Sequence, residues 1–246
     1  MKSLTLALLA ILPTVSCIGS FSSGVRVDGV RLEEKHVETL EIGEWAANGL
    51  TLSASIGDVN VVRAAGPNNR VLVTVFEKYA GDAWAAYEDG QIVTRTSSGE
   101  PSAIADATIH VATPLPRLVV STGMGDVVIR DVEVAGDLSG CTGMGDVLIE
   151  RTGSTAALAV ASGMGDIELV RISCARLDAS TGMGDVDLLS VQAGVASLSS
   201  GLGDLKVRSS TFERLDASSG LGDVDCIEVS YERGDLDTGL GSVRQR

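Results

Sequence analysis

Six aspartates, Asp126, Asp146, Asp166, Asp185, Asp204 and Asp223, recur at intervals of 20, 20, 19, 19 and 19 residues. Each directly follows a glycine, and Asp58 sits in the same local context earlier in the chain. Two kinds of chemistry suit carboxylates repeated in this way. Stacked at strand spacing they would repel one another, and calcium would relieve the repulsion by taking oxygen ligands. Alternatively, each short carboxylate accepts backbone N–H bonds at its own corner, an Asx-type role. We read the column in the second way, with a calcium ladder as the alternative. The pattern resembles the calcium nonapeptide G-G-x-G-x-D only in part. Here the Asp follows the second glycine directly, and the period is 19 residues.

Carboxylate chemistry of the catalytic kind has less support. The aspartates recur equally on every repeat, so none is singled out. The only histidines, His36 and His110, lie outside the regular repeats. No GxSxG, HExxH or phosphate-cradling glycine loop is present. A site of that kind would need a non-repeating acidic and basic cluster, best sought between residues 62 and 120.

The aspartates belong to a longer repeat, Ser121-Thr122-Gly123-Met124-Gly125-Asp126-Val127, which returns at 141–147, 161–167, 180–186, 199–205, 218–224 and, degenerate, 237–243. A fixed period of this length is the signature of a stacked-repeat architecture. Its glycine pairs are Gly123/Gly125, Gly143/Gly145, Gly163/Gly165, Gly182/Gly184, Gly201/Gly203 and Gly220/Gly222. Glycines two apart suit a sharp corner with unusual φ/ψ or close backbone approach. The residue between them is Met124, Met144, Met164 or Met183, then Leu202, Leu221 or Leu240. We expect it to fill interior space beneath the corner, with Met adapting to irregular packing. The change from Met to Leu argues against soft-metal binding.

Apolar residues stand two and four positions after each second glycine, as in Val127/Ile129, Val147/Ile149, Ile167/Leu169, Val186/Leu188 and Leu205/Val207. Alternation of this kind marks a half-buried strand. A second strand precedes each glycine pair, with inward pairs Leu118/Val120, Leu138/Gly140, Leu158/Val160, Leu177/Ala179, Ala196/Leu198 and Leu215/Ala217. Where the first member shrinks to Ala, the second becomes Leu, as expected of two columns filling one interior. A 19-residue coil at ~3.3 Å per residue has a perimeter of about 60 Å, which fits two or three short strands. The fold class expected is all-β: a right-handed, single-stranded parallel β-helix with rungs of 19 to 20 residues.

The stack begins near residue 50, because the stretch 50–61 matches the later repeats, with Ser55 and Ile56 replacing the first glycine and the methionine. Between this repeat and residue 120 we expect strands at 71–76, 91–96 and 108–113 completing about three longer rungs. We expect a short helical or looped insertion at 80–87. Residues 31–44 suit a strand or short cap.

The leader reads as an export signal. Lys2 precedes an apolar run at 4–12, too short to span a bilayer. Thr14-Val15-Ser16-Cys17 resembles a bacterial lipobox, which makes Cys17 the expected lipidation site, with signal cleavage nearby as the alternative. The expected organisation is a signal peptide at 1–17, a flexible tether at 18–30 and one β-helix domain at 31–246, irregular to 120 and regular from 121. Ile18 after the cysteine favours the outer membrane.

The net charge of −14 argues against nucleic acid as a partner. Cys141, Cys174 and Cys226 occupy different columns, so no bridge is expected.

The Gly-Asp-Val or Gly-Asp-Ile corners, the Leu115-Pro116 segment and the lipid-anchor leader together resemble the bacterial "putative adhesin" domain of unknown function, related to the head-GIN adhesins. The resemblance covers roughly residues 35–246 and implies a repeat-built β-helix in the cell envelope. It supplies no catalytic residues. The function expected is a non-enzymatic, membrane-anchored envelope protein presenting a surface to a protein or glycan. A calcium-dependent polysaccharide-active enzyme and an envelope-stress sensory or scaffold module are the alternatives. No cofactor is expected outside the calcium alternative. The last repeat ends without a cap, and end-to-end self-association is a further expectation.

Overall fold

The alternation of the repeat is an alternation of burial. In the computed structural model, which describes residues 25–154 and 156–246, no helix occurs among the described residues. The chain forms a β-solenoid of stacked parallel coils. Strands Leu118–Met124, Leu138–Met144, Ala157–Met164, Ser173–Met183, Gln192–Leu202, Thr211–Leu221 and Ser230–Leu240 lie in register along one side. Strands Val127–Arg130, Val147–Glu150, Ile167–Val170, Val186–Leu189, Leu205–Arg208, Val224–Ile227 and Val243–Gln245 form a second side. Register is set by identity of position: Leu118 pairs with Leu138, Leu138 with Leu158, and Leu158 with Leu177.

The two inward columns of each side are buried as the alternation requires. Val127, Ile129, Ile149, Leu169, Leu188 and Val207 are fully enclosed. Of the two or three sides that the perimeter allows, the coil has three. After each second-side strand one residue takes a left-handed backbone: Asp131, Arg151, Arg171, Ser190, Ser209 and Glu228, at φ between 49 and 58. For a residue with a Cβ this conformation costs about 1–2 kcal/mol. The residue that follows is buried at Val132, Thr152, Ile172, Val191 and Ser210. The strain is sustained because the corner delivers a side chain to the core.

The rung at Leu50–Ala54 and Val59–Arg63 packs directly beneath the one at 118–130, with Leu50 paired to Leu118 and Val59 to Val127. The stack therefore starts near residue 50, as its sequence indicates. The intervening residues do not make the three longer rungs expected of them. They form a largely antiparallel cap. Asn69–Glu77 pairs antiparallel with both Glu34–Ile42 and Ala103–Val111, and only the last of these runs parallel to Val59–Arg63. The 80–87 stretch is not helical, and it is looped only at residues 80–82. Ala83–Glu88 is a strand paired with Gln91–Thr96 through Asp89 and Gly90, both at positive φ. An Asp-Gly pair is favoured in this two-residue hairpin turn because both positions need positive φ. Asp28-Gly29 makes a similar hairpin of Val25–Val27 and Val30–Leu32, within the stretch read as tether. Residues 1–24, including Cys17, lie outside the described residues.

The cap is held by a buried carboxylate. Glu77 accepts from the Gly81 and Ala83 N–H groups at 2.8 Å each, and its Oε1 lies 3.1 Å from His36 Nδ1. Burial alone would raise its pKa, but the Ala83 and Gly81 bonds and the neighbouring His36 outweigh that and hold it below the ordinary value of 4.5. Glu38 accepts the Ala85 N–H, so two carboxylates grip one hairpin.

The close stacking and the buried carboxylate can each be tested. A Cβ added at Gly165 (φ 143) would stand 2.0 Å from the Gly145 carbonyl oxygen, whereas one at Gly153 meets nothing within 4 Å. Gly165→Ala should lose roughly 2–4 kcal/mol in urea unfolding, and Gly153→Ala should stay close to wild type. Because folding makes Glu77 ionise more readily, its contribution is complete above pH 4.5 and is lost as pH falls through its lower folded-state value. Amide exchange of the 83–96 hairpin should therefore accelerate in that acid range. In Glu77→Gln it should already be fast at neutral pH.

Candidate functional site: an apolar ridge beside an aspartate ladder

The Thr-Gly-Met-Gly-Asp corner is built around one peptide group per rung. The two glycines of each pair were expected to share one corner, and the structure gives them different tasks. The second glycine alone makes the turn, at a φ that L side chains rarely take: 125 at Gly125, 140 at Gly145, 143 at Gly165, 145 at Gly184, 150 at Gly203 and 151 at Gly222. The first glycine, at Gly123, Gly143, Gly163, Gly182, Gly201 and Gly220, still belongs to the preceding strand. Its need is close approach. A Cβ at Gly163, Gly182, Gly201 or Gly220 would stand 2.4–2.6 Å from the carbonyl oxygen of the rung below.

The peptide joining the second glycine to the aspartate leaves the main-chain ladder. Its carbonyl accepts from the hydroxyl of the next rung: Thr142 Oγ1 donates to Gly125 O at 2.8 Å, Ser162 Oγ to Gly145 O at 2.9 Å and Thr181 Oγ1 to Gly165 O at 2.9 Å. Ser200 and Ser219 donate in the same way to the carbonyls of Gly184 and Gly203, at 2.8 Å each. The peptide's N–H donates to the aspartate of the preceding rung. Asp126 N–H reaches Asp58 Oδ1 at 2.9 Å, and Asp146 N–H reaches Asp126 Oδ1 at 2.8 Å. The Asp166, Asp185, Asp204 and Asp223 N–H groups repeat this at 2.8–2.9 Å. Asp106 starts the ladder beneath Asp58, and the Ser242 N–H ends it on Asp223.

This refines the expected Asx turn. Each carboxylate does accept a backbone N–H, but from the rung above and not from its own corner. One oxygen of each is thereby engaged. The second oxygens of Asp185 and Asp204 face Lys206 Nζ at 2.7 and 3.7 Å, and that of Asp223 faces Arg244 at 3.0 Å. The Lys206 bond holds the Asp185 carboxyl below its usual range, and Asp185 raises Lys206 in return. Among the described residues, no cation stands within salt-bridge distance of Asp126, Asp146 or Asp166, and no group of three or more His, Cys, Asp or Glu is placed to hold a metal ion.

The methionine column is where the sequence reading fails. Its side chains do not fill the interior. Met164, Met183, Leu202 and Leu221 are 42–46% exposed, and Met124 and Met144 are half-buried. The interior position is taken by the hydroxyl column instead: Thr122, Thr142, Ser162, Thr181, Ser200 and Ser219 are all at most 5% exposed. The physical reason is the turned-out peptide. A buried carbonyl needs a donor, so a short hydroxyl is placed inside, and the corner then breaks the alternation that would have put the next side chain on the same face. Glycine on both sides leaves that side chain in relief. The seven residues from Met124 to Leu240 stack in register as one apolar ridge. The sequence signal for exposure was available: Met or Leu stands between two glycines on every regular rung.

In the 62–120 region Glu77 meets His36, which also contacts Glu38 at 3.2 Å, and this group is engaged with the cap. Glu77 and Glu38 hold the hairpin, and Asp82 accepts from Ser97 and Ser98. Cys174 and Cys226 are buried, and burial pushes the Cys174 thiol up to about 11.

Solved structures share the architecture. A "putative adhesin" from Bacteroides fragilis NCTC 9343 aligns with a TM-score of 0.62 at 17% identity, over 87% of this chain and 98% of that one. A "putative lipid binding protein" from Parabacteroides distasonis ATCC 8503 aligns at 0.54 and 15%, over 85% and 97%. A "putative adhesin" from Parabacteroides merdae ATCC 43184 aligns at 0.54 and 10%, over 87% and 96%. At these identities the likeness is one of fold. No family model matches the sequence, and no curated protein matches it.

The ladder yields a direct test. Asparagine keeps the accepting Oδ1 and removes a charge stacked at about 4.8 Å from its neighbours. Asp146→Asn should therefore unfold within ~0.5 kcal/mol of wild type or be more stable. Asp146→Ala strands the Asp166 N–H and should lose about 1–2 kcal/mol. Equal losses in both variants would contradict the ladder.

Proposed function

We propose that this chain is a non-enzymatic, lipid-anchored protein of the bacterial cell envelope, adhesin-like in architecture, whose solenoid presents a surface to a partner. The observation that carries the reading is the apolar ridge. A corner that points to solvent on every rung would accept any polar residue, yet it carries Met or Leu seven times in succession. Continuous exposed apolar surface marks an interaction site more often than isolated exposed residues do. The chemistry-bearing columns also recur identically from rung to rung and are engaged in holding the stack, as suits a scaffold. Fold neighbours named as adhesins agree with this reading. Anchoring rests on the Cys17 leader, and the outer membrane is the proposed location. Aromatic side chains, which carry much of sugar stacking, make up 3% of the chain. That favours a protein over a glycan as the partner.

Two measurements test the proposal. Mass spectrometry of the mature N-terminus should find a lipid-modified Cys17; an unmodified peptide beginning beyond it contradicts the anchor. A pull-down from envelope extract, run beside a glycan array, should retain a partner with the wild-type chain and lose it with Met183→Asp/Leu202→Asp. Calcium-dependent cleavage of an acidic polysaccharide by the purified chain would overturn the non-enzymatic reading.

A further inference from the structure

The ridge is not uniform along its length. Its first four residues are methionines, Met124, Met144, Met164 and Met183, and its last three are leucines. The neighbouring ladder changes one rung earlier. Asp126, Asp146 and Asp166, beside the methionine half, are exposed and have no cation within salt-bridge distance among the described residues, whereas Asp185, Asp204 and Asp223 are paired with Lys206 and Arg244. The first three methionines of the apolar ridge thus stand beside the open stretch of the carboxylate row. Methionine, with its flexible and polarisable side chain, is the residue used where a surface must fit an incoming apolar face.

We infer that the methionine half of the ridge, with Asp126, Asp146 and Asp166 beside it, is the docking site for a cationic amphipathic helix of a protein partner. This inference rests on the scaffold reading above and names the chemistry of its partner. The pitch of the ridge selects a helix. Rungs repeat at about 4.8 Å and helix turns at about 5.4 Å. A helix lying along the four methionines drifts by only about 2 Å in total. A strand laid the same way repeats its same-face side chains at about 6.7 Å and is out of step after one or two rungs. The match lasts about four turns, or roughly 14 residues. The partner's apolar stripe covers the methionines, and Lys or Arg on one flank meets the open carboxylate oxygens. Charge disfavours the other occupants. A second copy would bring a like-charged chain of −14 against this one, and an anionic lipid surface would be repelled in the same way.

The test uses the full chain and a labelled amphipathic Leu/Lys peptide of about 18 residues, long enough to hold helix on binding. Controls are the same peptide with Glu for Lys and one with the Leu positions scrambled. Anisotropy titration should show binding of the Leu/Lys peptide alone. Affinity should fall at least tenfold in Met144→Asn/Met164→Asn and at least tenfold in Asp126→Asn/Asp146→Asn/Asp166→Asn. Both sets alter exposed or half-exposed groups, and the asparagines keep the rung-to-rung acceptor. Their melting temperatures should stay near wild type. Equal affinity for the Glu peptide, or unchanged affinity in either variant, overturns the inference. So does ridge-dependent dimerisation in sedimentation, which names a second copy as the occupant, or ridge-dependent flotation with neutral phosphatidylcholine vesicles, which names lipid. A partner recovered from envelope extract that still binds the methionine variant would leave the scaffold reading standing and remove this one.

Discussion

One peptide group per rung governs this molecule. A parallel solenoid turns a corner by rotating a peptide out of the main-chain ladder, which leaves a carbonyl and an N–H without their strand partners. Left unpaired, the part-buried carbonyl would cost up to about 1–3 kcal/mol and the more exposed N–H less. Two side-chain columns remove that penalty. The hydroxyls of Thr142, Ser162 and Thr181 donate to the carbonyls of the rungs below, and the aspartates accept the N–H groups of the rungs above. The glycines make the rotation sterically possible, because a Cβ at the second position would stand within 2.3 Å of the preceding rung's carbonyl oxygen from Gly125 to Gly222. Threonine, glycine and aspartate in the motif answer one constraint.

The same constraint sets the surface. Because the corner breaks the strand alternation after the inward hydroxyl, the residue after the first glycine is carried to solvent, and its identity is released from the core. That release accounts for the ridge. It also separates two kinds of position within one short motif: those fixed by the stack, and one free to be chosen for what it meets. Aspartate lies between these cases, since one oxygen serves the ladder while the other faces outward. Lys206 and Arg244 take that second oxygen in the upper rungs, and among the described residues no cation pairs with it at Asp126, Asp146 or Asp166.

Much of the solenoid was legible in the sequence because burial follows a period of two within a period of 19. Leu118, Leu138, Leu158 and Leu177 could be assigned inward before any coordinates, and they are at most 1% exposed. The methionines were misread because strand alternation was extended through a corner that breaks it. The glycine pair marked that corner, but residue type alone could not show that Gly184 or Gly203 turns the chain while Gly182 or Gly201 only admits the neighbouring rung. The perimeter allowed two or three sides, but the repeat did not place the third, because its left-handed corner uses Asp131, Arg151 and Ser190, residues with no common chemistry. The cap was misread for a different reason. Strands at 69–77 and 103–111 have clear strand patterns, but pattern does not distinguish parallel from antiparallel pairing. Only the Asp89-Gly90 turn announced a hairpin. The aspartates' direction, rung to rung and not within the turn, depends on which way one peptide points, and no residue type records that.

The aspartate column, as a hydrogen-bond ladder between rungs, is the element on which the corner depends. Amide exchange at Asp166, followed by NMR in wild type and in Asp146→Asn and Asp146→Ala, reads that bond at the atom that makes it. The Asp166 amide should be protected in wild type and in the asparagine variant, and should exchange rapidly in the alanine variant while the Ile167 amide stays protected. Equal protection of Asp166 in all three chains would show that the carboxylate does not hold that N–H, and the ladder would be contradicted.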